Sequence, residues 1–170
     1  MITRKVGMKN FFVSEVIKDN TPAWGVLNGN VLIGRGSTVE EAINAAEVHI
    51  KVHFIENVTD KFINMFAQIK RDISTEPFQL SSMEWTDDQF SIKILNMGEG
   101  LLLLNACTPH RVWGAVEIKH LGAIGTGLNK LKREIKKKYQ EAKKSLGEDI
   151  ETLEALKTTA GKIEDREDGI

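Results

Sequence analysis

From Leu128 to Leu153 the apolar residues Leu128, Leu131, Ile135, Tyr139, Ala142, Leu146, Ile150 and Leu153 recur at intervals of three and four. That rhythm keeps one face of an α-helix apolar along its whole length. It constrains the fold more than any other stretch, because so long a stripe must be covered by something. The spacing predicts a helix that either lies on the chain's own sheet or pairs with a second copy of the protein. Charge divides the same helix. Over 128–146 eight basic residues stand against two acidic ones, a balance of +6, whereas over 147–170 eight acidic residues stand against three basic ones, a balance of −5. The net charge of −1 for the whole chain hides this polarity, which speaks of charged partners in a way the total does not. Lys130, Arg133, Lys137 and Lys144 fall on the side opposite the stripe, where phosphate groups would find them. The acidic half of a neighbouring subunit, packed antiparallel, would neutralise them as well.

With 170 residues, 41% of them hydrophobic, the chain is long enough to bury one real core. Residues 1–126 are expected to form a compact α+β domain, and 127–170 a charge-segregated helix used for oligomerisation or ligand binding. The single cysteine, Cys107, has no partner for an internal disulfide, and no signal-peptide pattern opens the chain, which points to a cytoplasmic protein. The longest strongly apolar run, Leu101 to Leu104, is far short of the roughly 20 residues of a membrane span, so no membrane contact is expected.

Local patterns supply the elements. A first strand is read over Asn10 to Lys18, bounded by the turn formers Asp19, Asn20, Thr21 and Pro22. Trp24 to Leu27 and Val31 to Ile33 flank Asn28-Gly29, a strong hairpin signal. Ser37-Thr38-Val39-Glu40-Glu41 then carries the capping-box spacing of a helix start, and Val39, Ala42, Ile43, Ala46, Ile50 and Phe54 give that helix one buried face. A second helix is expected from Thr59, with Phe62, Ile63, Phe66, Ile69 and Ile73 on one side, ending before Pro77. Beyond it the period changes to two, predicting an antiparallel four-stranded meander of about Phe78 to Trp85, Gln89 to Leu95, Leu101 to Cys107 and Val112 to Leu121. Gly122, Gly125 and Gly127 read as a hinge-like link to the long C-terminal helix. The fold class is α+β: an N-terminal strand plus hairpin, two helices, the meander and the long amphipathic helix.

The stretch Trp24 to Ile50, with strand, Asn28-Gly29, strand, Gly34-Arg35-Gly36-Ser37-Thr38 and a helix containing Glu40-Glu41-Ala42, resembles the strand-strand-helix of HicB-type antitoxins. It also resembles the second half of a double-stranded-RNA-binding domain, although Glu40 and Glu41 stand where that domain offers lysines to phosphate. Each likeness covers under a fifth of the chain.

Candidate chemistry is sparse. His49 and His53 lie four apart, one turn on a helix, a spacing that can chelate a metal; Glu56 follows, and Cys107 with His110 could complete a tetrahedral set. No fixed metal-binding spacing accompanies them, so no metal site or cofactor is assigned. Cys107 reads more simply as a small buried side chain than as a nucleophile. Gly34-x-Gly36 matches no phosphate-loop fingerprint, and the later glycines place helix-start amides just ahead of Lys130 and Arg133. Arg111 and Trp113, at the start of the last strand, add a charge and a stacking surface.

The sequence therefore predicts a non-enzymatic intracellular binding protein, a regulator or inhibitor of the kind bacteriophages make. It self-associates through the C-terminal helix and captures a nucleotide or nucleic acid with Lys130, Arg133, Lys137, Arg111 and Trp113. Two alternatives stand beside that reading: a protein-protein inhibitor or antitoxin-like module docking through the C-terminal helix, and a small metal-dependent enzyme built on His49 and His53.

Overall fold

The computed structural model describes residues 5–75 and 82–168. Its architecture is α+β, with two antiparallel four-stranded sheets and three helices among the described residues. The chain divides into two compact units, Met1–Ile55 with Lys144–Ile170, and Glu56–Lys143. The C-terminal helix, α3 (Ile124–Asp168), contributes its residues up to Lys143 to the second unit and those from Lys144 onward to the first.

In the first unit, β1 (Lys5–Met8), β2 (Phe11–Lys18), β3 (Thr21–Asn28) and β4 (Val31–Gly36) form a meander in chain order. Strand β1 has no counterpart in the sequence reading: it is four residues long, and its turn to β2 rests on Lys9 at φ 53°, a residue type that does not advertise a turn. The β2–β3 turn is tighter than expected. Asp19 and Asn20 carry it with φ 51° and 64°, while Thr21 and Pro22 already pair with Lys18 and Ile17. Proline is tolerated there because the pairing of β3 with β4 begins only at Trp24, so the missing N–H costs no ladder bond. Gly29 takes φ 61° after Asn28, as the hairpin signal requires.

Thr38 caps α1 (Val39–Val52) by accepting the Glu41 N–H at 3.1 Å. Glu41 reaches back to the Ser37 N–H at 2.9 Å, which closes a capping box and holds its carboxyl below the usual range. Helix α1 lies close on the sheet because Gly34 has no side chain: a Cβ there would stand 2.6 Å from the Ala46 backbone nitrogen. The core of this unit joins Phe11, Val13, Val26 and Ile33 of the sheet to Val39, Ala42, Ile43 and Ala46 of α1 and to Leu153, Leu156 and Ala160 of α3. The far end of the apolar stripe is thus covered by its own chain.

The second unit contains α2 (Val58–Thr75) and the meander β5 (Ser82–Asp87), β6 (Phe90–Asn96), β7 (Leu102–Thr108) and β8 (Arg111–Ile118). Residues 78–81 of the expected first strand, and Pro77, lie outside the described residues. One sheet face is closed by Phe90, Ile92, Ile94, Leu102, Leu104, Ala106, Trp113, Val116 and Ile118. Phe62 of α2 meets Phe90 edge-on with centroids 5.2 Å apart, and Trp85 Nε1 donates to Asp72 Oδ2 at 2.8 Å, holding that carboxyl below its ordinary range. The glycine hinge is replaced by a 3-10 turn at Leu121–Ala123 that runs straight into α3. Gly125 and Gly127 are helical, and a Cβ on Gly127 would stand 2.6 Å from Ile118 and 2.9 Å from Leu104, so bare backbone lets α3 approach the sheet. Leu128, Leu131 and Ile135 are fully buried. Among the described residues no helix is long and apolar enough to cross a membrane.

Candidate anion-binding surface

The first half of α3 has one buried side and one cationic side. Lys130, Arg133, Lys136, Lys137 and Lys143 are exposed and Lys132 and Lys138 half-buried, because the stripe that fixes the helix on the sheet leaves the alternate positions pointing outward. Among the described residues none of these seven cations is in an ion pair. Two acidic residues, Glu134 and Glu141, stand at helical spacing from these cations, and Glu134 Oε2 is occupied otherwise, accepting the Ala115 N–H of β8 at 2.9 Å.

Two depressions open along this side. Lys130 and Arg133 border one, together with Ala115, Val116, Glu117 and Glu134, so two carboxylates offset the two cations. Lys136 and Lys137 border the other with Tyr139, Gln140 and the first residues of α2, Asn57, Thr59 and Asp60. The Asn57 N–H donates to the Tyr139 hydroxyl at 3.0 Å, which joins the start of α2 to α3. Here two lysines face one carboxylate at the positive end of an 18-residue helix, an arrangement that favours an anion. Lys136 and the Asn57–Asp60 segment are absent from the sequence-derived site. A helix-start signature was legible there, but its position beside Lys136 was not.

Of the residues singled out from sequence, Lys130 and Arg133 share one depression and Lys137 borders the other. Trp113 is a correction. It is 2% exposed, its Nε1 donates to Thr108 Oγ1 at 2.8 Å, and the Arg111 guanidinium lies 4.2 Å from its ring centroid. The indole is a core side chain with its polar atom satisfied, and no stacking surface. Of the apolar stripe, Leu128, Leu131, Ile135, Ala142 and Leu153 are buried within the chain, whereas Tyr139, Leu146 and Ile150 are half-buried.

The rings of His49 and His53 stack with centroids 4.2 Å apart, and His53 Nδ1 lies 2.9 Å from the His49 carbonyl oxygen. Among the described residues no three His, Cys, Asp or Glu side chains come together as a metal site would need. Burial pushes the Cys107 thiol up, the opposite of nucleophile activation. No protein-family model matches the chain, and no curated protein or solved structure matches it either.

Proposed function

We propose that the chain is a non-enzymatic binding protein that takes a phosphate-bearing polyanion on the outer side of α3, centred on Lys136 and Lys137 beside the start of α2. The observation that carries this reading is a run of seven cations, none of them ion-paired among the described residues, with two lysines facing one carboxylate beside the start of α2. Proteins usually interleave surface charges of both signs, and a run with a large excess of cations leaves some of them available for phosphate. At 1.5 Å per residue the run from Lys130 to Lys143 is about 20 Å long. That length suits a nucleic-acid backbone better than the phosphates of one nucleotide. With Trp113 withdrawn into the core, phosphate contact without base stacking is the mode this surface supports, which favours duplex over single strand.

Fluorescence anisotropy with a labelled DNA duplex, a single strand of equal length and ATP as competitor tests the reading. If about four phosphates are neutralised, duplex affinity falls with log salt at a slope of about −3.6. The double variant Lys136→Glu, Lys137→Glu should weaken binding more than tenfold while the far-UV spectrum is retained. Unaltered affinity, or affinity indifferent to salt, refutes the proposal.

A further inference from the structure

Glu47 breaks the apolar face of α1. It is 9% exposed, and it sits where the second part of α3 covers that helix. Its Oε1 has no hydrogen-bond partner and lies 3.7 Å from Lys157 Nζ, beyond hydrogen-bond reach. Lys157 instead donates to Glu154 Oε1 at 2.9 Å. One ammonium is therefore shared by two carboxyl groups, and the remaining neighbours do not correct the imbalance. Lys51 of α1 acts weakly on Glu47 and Glu154, Glu40 acts on Lys157, and the sheet residues beneath, Phe11, Val13, Val26 and Ile33, are apolar. A buried carboxylate with an unmet oxygen is costly. A proton on Glu47 removes that cost, because the carboxyl O–H then donates to the Glu154 carboxylate while Lys157 keeps its bond to the same group.

We propose that Glu47 and Glu154 share one proton, and that this proton with Lys157 forms a pH-sensitive clasp holding the α3 segment from Lys144 onward on α1. The electrostatics agree in direction. Burial and the neighbouring Glu154 carboxylate raise the Glu47 carboxyl, and the proximity of Glu47 together with the bond from Lys157 lowers Glu154. Burial opposes the charge on Lys157, but the hydrogen bond to Glu154 and the field of Glu47 outweigh it and raise that group. The sign of the pH effect follows from linkage. Glu47 holds its proton more tightly folded than unfolded, so its contribution is complete below the ordinary glutamate range and is lost as pH rises through the raised value. The Glu154 contribution runs the other way, lost as pH falls through its lowered value. The clasp is tightest between those two limits and loosens toward alkaline pH, when Glu47 ionises and both carboxylates compete for Lys157.

Carbon-13 NMR titration of the glutamate carboxyl groups in the full chain, with amide hydrogen exchange of residues 150–160 between about pH 4 and pH 8, tests this. Glu47 should titrate above and Glu154 below the ordinary range, and exchange protection corrected for intrinsic rates should fall as Glu47 ionises. In Glu47→Gln the amide donates to Glu154 at every pH, so protection should become flat. In Lys157→Met the Glu47 titration should move higher still. Both carboxyls titrating in the ordinary range, or pH-independent protection in the wild-type chain, overturns the proposal, and these wild-type measurements decide even if a variant does not fold.

Discussion

Truncating Leu153 to alanine tests whether the apolar stripe of α3 is buried by its own chain. Leu153 is 0% exposed and belongs to the core that joins α3 to α1 and the first sheet. The substitution removes three carbons, worth about 2.4 kcal/mol at roughly 0.8 kcal/mol each. The rigid sheet and α1 collapse only in part around the gap, and the cavity left behind adds to that loss. Buried leucines truncated this way lose roughly 2.7–5.0 kcal/mol, so a cost of about 3 kcal/mol is expected. Urea unfolding followed by circular dichroism measures it, with the exposed Glu151→Ala as a control expected to stay within about 0.5 kcal/mol of wild type. The series should be run at two protein concentrations a factor of ten apart. If the stripe is covered within the chain, the Leu153→Ala loss is the same at both. A stripe covered by a second copy would make apparent stability rise by about 1.4 kcal/mol per tenfold concentration. That result, or a loss below about 1 kcal/mol, would refute the packing argument.

Two further perturbations address the close contacts. Gly34→Ala should destabilise the first unit by roughly 1–3 kcal/mol, since the new Cβ would stand 2.6 Å from the Ala46 backbone nitrogen and no side-chain rotation can relieve a clash with backbone; a midpoint equal to wild type in thermal unfolding would show that α1 rides higher on the sheet. Thr108→Val keeps the shape of the side chain but removes the acceptor of the buried Trp113 N–H; a loss of about 1–3 kcal/mol is expected in denaturant unfolding, and a neutral result would mean that the indole finds another partner.

The site was partly legible before the structure. Lys130, Arg133 and Lys137 stood out because a helix with one apolar stripe must turn its lysines outward. Trp113 was misplaced because alternation along a strand tells which residues share a face but leaves open which face is covered. Counting outward from Leu102, Leu104 and Ala106 across the β7–β8 pairing puts Trp113 on the helix-covered side, after a register shift at Ala106–Cys107 that no residue pattern signals. The burial of Glu47 is illegible for a related reason: it lies beside the apolar positions Ile43, Ala46 and Ile50 of α1, and its neighbour Lys157 comes from a distant part of the chain.

What the chain determines locally it determines well. The capping box at Ser37 to Glu41, the positive φ of Gly29, the two periods of helix and strand and the long α3 itself arise from interactions within a few residues, which a linear pattern contains. What covers each apolar face is decided elsewhere. That α3 gives Leu128 to Ile135 to one unit and Leu153 to Ala160 to another, that Lys136 comes to lie beside Asn57, and that Glu47 meets Lys157 depend on contacts between residues up to 139 positions apart, as in Lys9 and Glu148. Those contacts are selected by shape and burial over the whole fold, and no short stretch of sequence encodes them.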